Sequence, residues 1–149
     1  MALAQTIKFG SAMIMLGDGA SSETFEAPCG FTELTMTVNI ESNTTNIPDC
    51  DDPDLPSWLI SDEVSKQMTL SGSGVLDKTA KQTWHDWLMA GGEKNVRWFL
   101  DLSSADGGGY YEAPAVLTSY EETFSRGQRA QVSIGISLNG KPTFSPGNA

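Results

Sequence analysis

The chain has 149 residues, 39% of them hydrophobic, and nineteen acidic against nine basic side chains give it a formal charge of −10. That length supports one domain with a real core, and no apolar run approaches the roughly 18 residues of a membrane helix. The acidic balance excludes a protein that grips nucleic acid, because such grip comes from Lys and Arg neutralising phosphates. It leaves room for a protein beside which nucleic acid must move freely.

The opening MALAQTIKFGSAMIML lacks the continuous apolar centre and cleavage site of a secretory signal. The Asn43-Thr44-Thr45 sequon therefore reads as loop polarity, and Cys29 and Cys50 read as free thiols. An early strand is expected near Ala12–Leu16. Leu34, Met36, Val38 and Ile40 then alternate with Glu33, Thr35, Thr37, Asn39 and Glu41, the pattern of a strand with one apolar side. Residues 41–64 break it. With Pro48, Pro53, Pro56 and four nearby aspartates, they read as a long Pro/Asp-rich loop, irregular in its middle and functional by virtue of its length. Trp58, Leu59 and Ile60 would anchor that loop on another subunit or ring, together with Asp51 and Asp52.

Alternation resumes with Met68 and Leu70 set against Gln67, Thr69, Ser71 and Ser73, after which Gly72 and Gly74 are expected to let the strand bend. TAKQTWHDWLMAGG predicts one helix. Ala80, Trp84, Trp87 and Leu88 form its apolar stripe, Asp77 or Thr79 caps its start (Thr79 with Gln82 fits a capping box), and Ala90-Gly91-Gly92 stops it. Asn95–Leu102 and Ala115–Phe124 read as strands. Arg126-Gly127-Gln128 looks like the turn into a last long strand over 129–139, and Asn139-Gly140 turns the chain into a short Lys141–Phe144 end. In that last strand Ala130, Val132, Ile134, Ile136 and Leu138 share one side. The other side, with Gln131, Ser133 and Ser137, is small, polar and uncharged. The expected fold is a single domain over 1–149, mainly β: a β-sandwich or barrel with one flanking α-helix.

Catalytic and ligand chemistry finds little support. Asp49, Asp51, Asp52 and Asp54 fail as a calcium loop, because Pro53, Asp54 and Ile60 stand where a ligand, a glycine and a glutamate are required. His85 beside Asp86 lies off the helix stripe with no nucleophile elbow to serve. Neither glycine cluster, Ser71–Gly74 nor Gly107–Gly109, is followed by Lys-Ser/Thr, so neither is a phosphate loop. One histidine and two separated cysteines make no zinc set. No cofactor, no metal and no enzymatic activity are expected.

PAVLTSYEETFSRGQRAQVSIGISLNGKPTF resembles the end of the major tail tube proteins of long-tailed bacteriophages and gene transfer agents. LSGSGVLDKTAKQTWHDWL resembles their strand-to-helix passage, and IPDCDDPDLPSW is similar to the gene transfer agent tail proteins in particular. The resemblance covers about residues 30 to 145. It implies a virion or particle tail component assembled in the bacterial cytoplasm, forming hexameric rings that stack into a tube with an inner barrel of 24 strands. DNA would pass through without specific binding. The partners implied are further copies of itself, a tail terminator, a tape measure protein and baseplate or distal tail proteins, with no membrane. Under that reading Thr35, Thr37, Asn39, Gln67, Thr69, Ser71, Ser73, Gln131, Ser133 and Ser137 face the lumen: they hold water and carry no cation to trap phosphate. The rival reading is a monomeric β-sandwich that binds glycans on Tyr110, Tyr111 and Trp98.

Overall fold

The alternating segments around Leu34–Ile40 and Met68–Leu70 run further along the chain than their patterns indicate, while the strands expected over 95–102 and 129–139 end earlier, at Leu100 and Leu138. In the computed structural model, which describes residues 2–147, β1 spans Ala12–Gly17, β2 Phe25–Glu26, β3 Phe31–Ile47 and β4 Trp58–Val75. Helix α1 follows at Lys78–Ala90, then β5 at Lys94–Leu100, β6 at Gly109–Thr123, β7 at Gln131–Leu138 and β8 at Thr143–Pro146. One eight-stranded sheet results, in the order β2-β1-β5-β6-β7-β4-β3, with β8 beside β6. Every pairing among the described residues is antiparallel.

The expected long loop shrinks to residues 48–57. The β3–β4 ladder continues out to Ile47↔Trp58, so most of 41–64 is a projecting two-stranded hairpin. The three prolines all fall in its turn, where no ladder N–H is needed, while the flanking Thr44, Thr45, Trp58 and Ile60 favour extended backbone. The Asn43 sequon consequently lies in β3, paired with Asp62, rather than in a loop. Aspartates organise the turn itself. The Asp49 carboxylate accepts from the N–H groups of Asp51 and Asp52 at 2.7 and 3.1 Å, and that of Asp52 from the Asp54 N–H at 3.3 Å.

The sheet rolls so that β1 approaches β3, although the two are far apart in strand order. Ile14, Leu16, Val96, Ala113 and Ala115 from one side then share a core with Met68, Leu70, Val132, Ile134, Ile136 and Leu138 from the other. Strand β6 joins the two sides: Gly109–Ala115 pairs with β5, and Ala115–Thr123 pairs with β7. Between Leu117 and Ser119 its register shifts, leaving Thr118 unpaired, and such bulges bend a strand and re-aim its side chains.

Helix α1 packs on the apolar side of the sheet against β3 and β6. Trp84 meets Phe31 edge-on at 6.1 Å, stacks on Trp87 at 6.1 Å and reaches Tyr120 at 6.5 Å. Asp77 is the N-cap, its carboxylate accepting from the Ala80 N–H at 3.0 Å; Thr79 is already inside the helix, so the capping box does not form. Leu88 is 48% exposed. At 100° per residue it falls to the flank of a stripe centred on Ala80, Trp84 and Trp87. The glycines of β4 also have another purpose than bending, since the strand runs unbroken to Val75. A Cβ at Gly74 would lie 2.3 Å from the Gly30 carbonyl oxygen, so glycine permits close backbone approach.

A polar link ties the helix to the sheet. Lys81 pairs with Glu122, which also accepts from the Tyr120 hydroxyl at 2.8 Å. The Lys81 hydrogen bond, and then that of Tyr120, hold the Glu122 carboxyl below its ordinary range; burial, reinforced by Glu122, pushes the Tyr120 phenol up to about 12. A depressed carboxylate stabilises the fold above its unfolded pKa and ceases to do so as pH falls through its folded one. Glu122→Gln is therefore expected to be modestly less stable than the parent at neutral pH, a small deficit for a pair so open to solvent, and to lose that deficit as pH falls below about 4.5. Urea midpoints measured at intervals from pH 7 to pH 3 would show the difference between the two proteins narrowing with acid.

Candidate functional site

The observed register places all ten expected polar residues on one face of the β3–β4–β7 sheet. Thr35 lies opposite Ser71, Thr37 opposite Thr69 and Asn39 opposite Gln67. Across the next seam Thr69 faces Ser137, Ser71 faces Gly135, Ser73 faces Ser133 and Val75 faces Gln131. Strand β6 adds Ser119, Glu121 and Thr123 to the same face, beside Gly135, Ser133 and Gln131. Most of these side chains are exposed or partly exposed. Ser137 is the exception at 8%: the Gln67 side-chain amide donates to its hydroxyl at 2.8 Å and covers it.

Charge on that face has one sign. Glu33, opposite Ser73, Glu41, opposite Ser65, and Glu121, opposite Ser133, belong to it. No Lys or Arg does among the described residues of these strands: Lys66, opposite Ile40, is on the other side and pairs with Glu63 at 3.1 Å. The Glu121 and Thr123 contribution was hidden from sequence reading by the bulge at Thr118. Before it, odd-numbered residues Ala113, Ala115 and Leu117 face the core; after it, odd-numbered residues face outward.

Both borders of this four-stranded region are open. Among the described residues β3 pairs only with β4, and the Val116–Thr123 half of β6 pairs only with β7, because its pairing with β5 stops at Ala115 and with β8 at Glu112. Unpaired edges of this length invite another strand.

The expected contact residues gather at the far end of the projecting hairpin. Trp58 is 89% exposed, Leu59 and Ile60 are exposed beside it, and Asp51 and Asp52 occupy the turn. A bulge at Val64, where Glu41 pairs with Ser65 but Ser42 with Glu63, puts Trp58 and Ile60 together with Ile47 on one face and Leu59 on the other. The aromatic residues of the rival reading form no common platform. Trp98 and Tyr111, paired across β5 and β6, pack against the core; Tyr110 lies on the opposite face against Phe99. There the Arg97 guanidinium is clamped between the Phe25 and Tyr110 rings, 3.7 and 4.3 Å from their centroids, with Glu112 at 3.1 Å. Cys29 and Cys50 are free and exposed.

These features define a structural building block: a mainly β subunit with a neutral-to-acidic sheet face, two open strand edges and a hairpin that leaves the body. A family model of phage tail tube proteins matches residues 6–144, and the chain belongs to that family, which is structural and not enzymatic. Its fold is similar to a subunit in the tail of an empty gene transfer agent particle refined with helical, C6 symmetry (TM-score 0.76, 18% identity, covering 95% of this chain and 99% of the other). It is also similar to the SPP1 tail tube protein (TM-score 0.68, 9% identity, 97% and 81% covered). A third likeness is to the tube-terminating cap of the anti-feeding prophage (TM-score 0.63, 15% identity, 98% and 95% covered). No curated protein matches at the level of sequence.

Proposed function

We propose that the chain assembles into hexameric rings, that the rings stack into the tail tube of a phage or gene transfer agent particle, and that the polar face of β3, β4, β7 and β6 lines a channel for DNA. The observation that carries this reading is the coincidence of that face with two open edges on the same four strands. If the β3 edge of one subunit takes the Val116–Thr123 edge of the next, ring closure leaves neither exposed. Four strands from each of six copies give 24 strands. With ~4.8 Å between strands and a tilt of roughly 40°, they close at a backbone radius of about 24 Å, which admits a duplex after side chains are added. The lining then offers water Ser, Thr, Asn and Gln, and offers phosphate only carboxylates. No counterion-releasing contact slows the cargo.

The C6 symmetry of the similar gene transfer agent tail supports the copy number. Likeness to a tube-terminating cap supports a tail terminator among the partners, stacking on the same geometry; tape measure and baseplate or distal tail proteins would complete the set. Size exclusion with negative-stain microscopy tests the assembly. Rings or tubes are expected as concentration rises, and a monomer that persists to near-millimolar concentration would overturn it.

The hairpin is the second element of the proposal, contacting an adjacent subunit or ring. Replacing residues 44–61 with a two-residue Asn-Gly turn retains the Asn43↔Asp62 pair and removes no buried residue. Monomer stability is expected to stay within about 0.5 kcal/mol of the parent in urea titration, while assembly is lost. A trimmed subunit that fails to fold would show that the hairpin serves its own core.

A further inference from the structure

The hairpin tip and one other surface are unlike in a way that fits them to each other. The tip carries exposed Ile47, Trp58, Leu59 and Ile60 together with Asp49, Asp51, Asp52 and Asp54, and no Lys or Arg occurs between Glu41 and Ser65. At the opposite end of the same strands, the turn between β6 and β7 carries Phe124, 72% exposed, with exposed Arg126 and Arg129. Lys78, also exposed, starts α1 beside it, because the Leu76 N–H donates to the Ala130 carbonyl at 2.9 Å. None of the three ion pairs among the described residues uses Lys78, Arg126 or Arg129.

Within one subunit these surfaces cannot meet. β4 runs from Trp58 at the tip to Val75, which is paired with Gln131 at the base of the turn; at ~3.3 Å per residue the separation is on the order of 50 Å. A head-to-tail stack is the arrangement that brings the acidic, apolar end of one copy to the basic, apolar end of the next. We propose that the hairpin tip docks on the Phe124–Arg129 turn and Lys78 of a second copy in the adjacent ring, a contact that rests on the stacked-ring reading above. Opposite charge steers and registers the contact, and Trp58 supplies a large apolar face on which a guanidinium stacks. Ring closure, which uses the strand edges, is separate from it.

Charge reversal separates the two kinds of contact. Arg126→Glu with Arg129→Glu alters the turn. Asp51→Lys with Asp54→Lys alters the tip, and neither of those carboxylates holds the turn's backbone. Each pair alone is expected to raise the concentration needed for tube formation at least tenfold while micrographs still show single rings. The four substitutions together, or a mixture of the two double variants, are expected to restore tubes to within about threefold of wild type. Wild-type tubes with an unaffected turn variant, or no recovery in the combined variant, would overturn the docking. Wild-type protein that forms neither rings nor tubes would instead overturn the assembly on which it rests.

Discussion

Replacing Ile134 with arginine is expected to leave no folded subunit. Ile134 is 2% exposed in the centre of β7, with Gly72 on one side and Tyr120 on the other. A guanidinium there loses its water and gains no partner, a penalty of several kcal/mol against a total stability of about 5–15 kcal/mol. Far-UV circular dichroism and solubility would show the loss. An arginine on the opposite face has a different expected result. Ser71 is exposed between Thr35 and Gly135, with no carboxylate opposite it, whereas Ser133 faces Glu121, which would half-neutralise the new charge. Ser71→Arg is thus expected to fold and assemble as wild type does, to retard DNA transit, and to retard it less at higher salt. Normal delivery by tubes of this variant would refute the lining argument without touching the tube. A folded Ile134→Arg protein would mean that the two faces have been assigned the wrong way round.

Trp84→Ala is expected to cost about 3–5 kcal/mol, near the limit for a core truncation. Trp84 is 1% exposed and is the ring on which Phe31, Trp87 and Tyr120 converge. Removing it leaves a cavity between helix and sheet that three aromatic neighbours, each fixed on a separate element, cannot collapse to fill. Denaturant titration would register a lower midpoint, and a destabilisation under 1 kcal/mol would show that the helix packs through Trp87 alone. Leu88→Ala, on the exposed flank of the same helix, is the matched control and should change stability by less than about 1 kcal/mol.

The parts of this fold that could be read from sequence are those where alternation is uninterrupted and one side of the strand is covered by the subunit itself. Val132, Ile134, Ile136 and Leu138 are all buried, as their spacing predicted, and Met68 and Leu70 likewise. Parity fails where a strand takes an extra residue. The bulge at Thr118 moved Glu121 and Thr123 to the polar face, and the one at Val64 grouped Trp58 with Ile60 and Ile47. Neither has a glycine or proline to mark it. The outer hairpin escaped notice for another reason: both its faces are exposed in the subunit, so no apolar period betrays the strands, and its prolines made the whole stretch look irregular. Ser137 shares the polar face, as its spacing predicted, but is capped by Gln67, a side chain 70 residues away in sequence. Asp77 and Thr79 both satisfied the pattern of a cap, and only backbone geometry distinguishes them.

Strand β6 has a mechanical consequence. Its first half is laced to β5 and β8 in the body, and its second half to β7 in the proposed wall, through one unbroken backbone. Force applied to the wall, as when a filament flexes or cargo drags on it, is therefore delivered to the body along the axis of a strand. Loaded in that direction, the flanking ladders must slide as a whole, many hydrogen bonds yielding at once, instead of peeling one by one from an end. A wall carried on a separate flap would open like a zip; this one is riveted to its subunit.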